Sequence, residues 1–219
     1  MATKKLNQPE TGSIVPNEMH KSSGSAVPAA NDYNMPLDAE EQREWFVAIL
    51  SHQKYTASCC EYIKNAFGCI CYVPSKQEKH VYANRTKRTV TKFFIPRYVF
   101  VSGISEKQAY DFVPKWPHVD IFLPDRARER AGGRIALAKV QHKDLVKLQN
   151  AINEVDPADI TFTSENLAFD EQIEVVQGGL KGLEGGYYKD GGNDYLVFML
   201  GKLGNIKVRV HVKDCRLKK

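Results

Sequence analysis

The chain has 219 residues, 42% of them hydrophobic and 26% charged, with a formal net charge of +5. That balance suits a globular protein with room for one large or two small domains. There is no run of about 18 apolar residues to cross a bilayer, and no apolar stretch follows the lysines of MATKKLNQPETG, so a cytoplasmic protein with no membrane partner is expected.

Residues 1–44 are rich in Asn, Ser, Pro, Gly and Ala and show no sustained apolar period. Such a segment cannot bury enough surface to offset its chain entropy, so a disordered tail is expected. It is mildly acidic, with seven Asp and Glu against four Lys and Arg. A first domain is expected over 45–164, where eighteen Lys and Arg stand against eleven Asp and Glu. EWFVAILS reads as its first strand. KYTASCCEYIKNAF follows as a helix, with Tyr55, Cys59, Ile63 and Phe67 on one i+4 row and Gly68 placed to cap its end. CICYVP is a short strand stopped by Pro74. Cys59, Cys60, Cys69 and Cys71 lie close in sequence, but an adjacent pair and a C-x-C pair lack the spacing of zinc ligands. With Cys215 they make an odd number and read as free thiols; no metal or other cofactor is expected.

SKQEKHVYANRTKRTVTKFF reads as an extended arm with a turn near Ala83–Asn84. It carries Lys76, Lys79, Arg85, Lys87, Arg88 and Lys92 against Glu78 alone, a field suited to phosphates, and Tyr82 is placed to stack on an unpaired base. The same charges would equally serve a solvated hairpin whose lysines keep an exposed edge soluble. FFIPRYVFV then reads as a strand with almost no polar alternation. By alternation Phe94, Pro96, Tyr98 and Phe100 share one side, and Phe93, Ile95, Arg97, Val99 and Val101 the other. Either both faces are buried or one is an aromatic surface awaiting a partner. SEKQAYDFV is a helix with Ser105 as N-cap, ending before Pro114. HVDIFLP is a strand, and QHKDLVKLQNAINEV a helix with Leu145, Leu148 and Ile152 at helical spacing. The order β-α-β-β-α-β-α predicts an α+β fold with helices packed on the sheet.

Residues 165–169 form a polar joint, and a second domain is expected over 170–219. There, short β-branched and aromatic runs are separated by glycine turns, which predicts a small β-barrel.

Two motifs carry a resemblance. IEVVQGGLKGLEGG is similar to a KOW motif, with Val175, Gly178, Leu180, Lys181, Gly182 and Gly185 in its places; its glycines suit tight turns and close backbone approach. A domain opening on WFVAILS and containing FFIPRYVFV resembles the amino-terminal domain of NusG-type transcription factors. Where that family reads P-G-Y, this chain has Arg97 for the glycine. The resemblance covers Trp45–Lys219 and implies an antiparallel sheet with helices followed by an SH3-like barrel. The substituted glycine and the long tail suggest a specialised paralogue, most similar to the UpxY-type antiterminators of capsular polysaccharide operons.

The resemblance further implies a monomeric elongation regulator that binds the clamp helices of RNA polymerase's largest subunit. Tyr98 and Phe100 match family contact positions, and Phe94 and Pro96 join them by alternation. It places the basic arm near upstream or non-template DNA. It implies that the barrel recruits a ribosomal protein or Rho, for which Phe198, Met199 and Leu200 are candidates, although barrel core is the competing reading for at least two of them. No catalytic constellation is visible: the histidines are scattered, and Lys181 is not followed by the Ser or Thr of a phosphate loop. The alternative from another class is a KOW-containing RNA-binding or ribosome-associated protein whose basic arm grips RNA.

Overall fold

Six consecutive apolar residues, WFVAIL, fill most of the first strand, β1 (Glu44–Leu50), and put it at the centre of a sheet covered on both faces. The structure is a computed structural model describing residues 35–83, 85–116, 118–129, 135–165, 167–169 and 171–218; they fall in a unit spanning Asn31–Lys219. After β1 come α1 (Thr56–Phe67), β2 (Ile70–Tyr72), β3 (Ser75–Val81), β4 (Lys87–Phe93), β5 (Tyr98–Ser102) and α2 (Glu106–Phe112). Then follow β6 (Val119–Phe122), β7 (Pro124–Glu129), β8 (Ile135–Leu137), β9 (Lys139–Gln141) and α3 (His142–Glu154). The fold is α+β with antiparallel sheets, as the sequence predicts.

The helices end where their residues dictate. Gly68 takes φ 63° and its amide closes α1 on Lys64 O. Ser105 caps α2, and Gln108 returns a bond to the Ser105 amide, completing a capping box. Tyr55 lies in a short 3₁₀ turn before α1; of the row read by i+4 spacing Cys59 and Ile63 are buried and Phe67 packs partly buried on the same core, where Thr56 and Cys60 are buried as well.

The first sheet runs β2-β5-β1-β6, with β9 also on β1. Its register sorts side chains cleanly. Phe46, Ala48, Val99, Val101 and Cys71 point to one face and pack with Cys59 and Ile63 of α1 and Phe112 of α2. Trp45, Val47, Phe100, Tyr72 and Val140 point to the other, against Leu145, Leu148 and Ile152 of α3. β3 and β4 form a separate hairpin, and β7 pairs with β8. The expected turn residue Asn84 and residues 1–34 of the expected tail lie outside the described residues. Within the part of that expected tail which is described, Met35, Leu37 and Asp38 hydrogen-bond to side chains of α3.

The second sheet has β10 (Ile160–Thr163), β11 (Gln172–Val175), β12 (Glu184–Asp190), β13 (Asn193–Met199), β14 (Asn205–Arg209) and β15 (Cys215–Leu217). Their order is β10-β14-β13-β12-β11-β15, so the ladder is open among the described residues, and β10 joins it from upstream of the polar joint. Its interior, including Leu196, Ile206 and Val208, is continuous with the α3 core. The β13–β14 turn settles against β9 and β7: a side chain at Gly201 would approach Lys139 O of β9, and Lys202 pairs with buried Asp125 of β7.

Candidate partner-binding faces

FFIPRYVFV is not one strand. Phe93 ends β4, Phe94–Arg97 turn, and β5 begins at Tyr98. The Tyr98 amide reaches back to Ile95 O at 3.4 Å around Pro96 and Arg97. Arg97 takes φ 72°, the left-handed region that glycine enters freely and arginine does not. Its side chain holds it there, with Nε donating to Leu50 O at 2.6 Å and the guanidinium 2.8 Å from Asp120.

The turn breaks the alternation that grouped four residues as one surface. Phe100 is fully buried between Tyr72 and the α3 core, so it is a core residue and presents nothing to a partner in this arrangement. Phe94 packs partly buried against the same core, and Pro96 is exposed in the turn. Tyr98 is half-buried, its ring 6.1 Å from Phe162 of β10. Two residues not singled out from the sequence stand beside it. Ile49 is opposite Tyr98 across one ladder and opposite Ile121 across the other, and Ile121 is 45% exposed. Ile121, Ile49 and Tyr98 thus form an apolar strip at the end of the face that α3 leaves open. Only register could have found it, because WFVAIL carries no alternation to say which side chain faces where.

The basic arm is the β3–β4 hairpin, and its charges part company. Lys76 Nζ lies 3.0 Å from Ile152 O, 3.4 Å from Asn153 O and 3.0 Å from Val155 O. It satisfies carbonyls at the end of α3 and is thereby withdrawn from the phosphate-binding set. Pairing puts Lys92, Arg88 and His80 on one face and Lys79 and Lys87 on the other. Near the tip His80 lies 4.7 Å from Tyr82, ring to ring, and the Arg88 guanidinium lies 5.8 Å from the Tyr82 ring; all three are exposed. Arg85 sits in the turn at φ 63°. A guanidinium, an imidazole and a phenol at one tip can stack on unpaired bases as well as neutralise phosphate.

A further aromatic surface was missed because its members are far apart in sequence. Tyr55 stacks on His118 at 3.6 Å, and Trp116 on Tyr62 at 4.8 Å. Trp116 Nε1 has no hydrogen-bond partner among the described residues.

In the KOW-like segment the Gly182 amide donates to Val175 O at 2.8 Å, and Gly178 and Gly182 take φ 80° and 85°. Val175 is buried, Leu180 packs partly buried, and Lys181 is exposed. A side chain on Gly185 would come within 2.4 Å of Val197 O, so only glycine fits. Phe198 and Leu200 are buried in the sheet core, which removes them from the candidate contact set, whereas Met199 is 64% exposed. The clustered cysteines are core side chains of α1, β2 and the link between them, Cys69 donating to Ile63 O and burial pushing the Cys59 thiol up.

No family model and no curated protein matches the chain. Among solved structures it is similar to NusG of Thermotoga maritima, in a structure describing domain interaction in that protein. The likeness covers 83% of this chain and 100% of that one, at 17% identity and a TM-score of 0.43. Likeness of that degree leaves partners and function to be argued from the residues themselves. No helix among the described residues is long and apolar enough to cross a membrane.

Proposed function

We propose that the chain is a NusG-like regulator of transcription elongation that binds RNA polymerase through the open end of its first sheet. The observation carrying this reading is the strip Ile121–Ile49–Tyr98, apolar and partly exposed on an otherwise covered sheet. The FFIPRYVFV and KOW-like motifs supply the direction: the strip takes the polymerase clamp helices, as apolar helix faces seat in apolar grooves. The protein performs no chemistry of its own. It acts as a ligand with greater affinity for the elongating than the paused polymerase, suppressing pausing and termination, here at a polysaccharide operon. The hairpin, with Tyr82 and Arg88 near its tip and Lys92 toward its base, meets upstream or non-template DNA, and exposed Met199 is the contact for a ribosomal protein or Rho.

The test is capture of purified RNA polymerase by the full chain, with Tyr98→Ala and Ile121→Asp as variants. Capture by the parent chain, lost in both variants while both remain folded by circular dichroism, supports the reading; equal capture by all three overturns it. A second reading, an RNA-binding or ribosome-associated protein working at a site in the cytoplasm, is favoured by the stacked hairpin tip alone. It predicts recovery of ribosomal RNA without polymerase, abolished by Tyr82→Ala with Arg88→Glu.

A further inference from the structure

Residues 35–38 are held by two buried polar side chains on α3 that read their backbone. Gln149, 8% exposed, donates Nε2–H to Met35 O at 2.9 Å and accepts the Leu37 amide at 2.7 Å through Oε1. One side-chain amide therefore pairs with an extended backbone at two positions, as a neighbouring strand would. His142, 4% exposed, fixes the next carbonyl. Its Nδ1 accepts from Trp45 Nε1 at 3.1 Å, so Nε2 carries the proton and donates to Asp38 O at 2.6 Å. Between these anchors Leu37 packs onto the α3 core, and Asp38 Oδ1 closes a turn on the Glu40 amide at 2.9 Å. Without this segment Gln149 would lose both of these partners and His142 one of its two, which disfavours leaving the site empty.

The segment also forms one wall of something larger. Ala39–Glu44 line a cleft of about 870 Å³ together with Asp125, Lys139–Lys143 and Lys202. That cleft contains the ion pair that ties Lys202 of the β13–β14 turn to Asp125 of β7. α3 itself lies between the sheet face bearing Trp45 and the interior of the second sheet.

We propose that Met35–Glu40 is a strap seated in a peptide-docking site on α3, and that its seating holds α3 and the β13–β14 turn in place. The site takes an extended peptide with an apolar residue at the Leu37 position, followed by an Asx turn, and the chain's own segment is the occupant. Seated, it keeps the second sheet against the first; unseated, it loosens the cover beside Tyr98. This last consequence rests on the function proposed above, whereas the seating does not.

Hydrogen exchange read by mass spectrometry on the full chain tests the proposal, with Gln149→Ala and, as an independent disruption from the strap side, Leu37→Asp. In the parent chain peptides covering 35–41 are protected. In both variants they exchange about tenfold faster or more, α3 and the turn at 199–205 follow, and α1 does not change. An unprotected strap in the parent chain overturns the proposal, as does a strap that loosens while α3 and the turn stay protected. Capture of RNA polymerase rises in both variants if the open strip is its site. Exchange that changes as stated with capture unmoved leaves the strap standing and counts against the polymerase reading.

Discussion

The two faces of the first sheet are built from the same kinds of residue and end up with different uses. On the α1 and α2 side Val99, Val101, Ala48 and Cys71 are all buried, and helices close that face from edge to edge. On the opposite side α3 and the second sheet shut Trp45, Val47, Tyr72 and Phe100 away but cover Tyr98 only in part, leaving Ile49 half-buried and Ile121 exposed. An apolar face covered throughout is a core, whereas one covered over part of its length has something left to bind with. The first consequence is that residues two apart on β5 should behave oppositely. Phe100→Ala opens a cavity among buried rings and should cost about 3–5 kcal/mol, read as a lower urea midpoint with loss of binding only through loss of fold. Tyr98→Ala removes a ring already half in water. It should cost about 1–2 kcal/mol, well under the buried case, yet remove polymerase capture entirely. Equal destabilisation by the two would erase the distinction between the covered and the open part of that face.

The hairpin offers the same contrast in charge. Lys76 and Lys79 are three residues apart and look interchangeable as sequence. Lys76 is spent on α3 carbonyls and Lys79 is exposed on the other face. Lys76→Met should lower stability by about 1 kcal/mol and leave nucleic-acid affinity nearly unchanged. Lys79→Met should do neither measurably to the fold, while weakening binding and flattening its dependence on salt if that face meets phosphate. Thermal melts and a salt titration of DNA binding separate them.

What was legible in the sequence follows from which signals are local. α1, α2 and α3 were readable because apolar spacing, Ser105 and Gly68 act within a few residues. β7, β8 and β9 were not read, since β8 and β9 have three residues each and β7 and β9 carry charges. The basic character of the arm was visible, but the diversion of Lys76 depends on where α3 ends, more than seventy residues away. The strip needed Ile49 and Ile121 set beside Tyr98, and that is a matter of register between strands distant in the chain. The KOW-like glycines were readable because a positive φ is a property of one residue; that at least two of Phe198, Met199 and Leu200 could be core was also readable, but which two was not, because the run is apolar at every position.

Pro96-Arg97 is the place where a local signal was present and was outweighed by an apolar run. Proline followed by a residue at positive φ is a turn, and this turn separates β4 from β5 and starts β5 at Tyr98. Arg97 pays a backbone penalty there of about 1 kcal/mol and recovers it through Leu50 O and Asp120. Arg97→Gly relieves the backbone and loses those bonds, so its net effect should lie within about 0.5 kcal/mol of zero, the exposed ion pair adding little. Arg97→Ala loses the bonds and keeps the strain, and should cost about 1 kcal/mol more than the glycine variant. The order of the two urea midpoints decides it. Glycine above alanine means that the backbone angle governs this turn, and the reverse order would mean that chain entropy outweighs the strain at φ 72°.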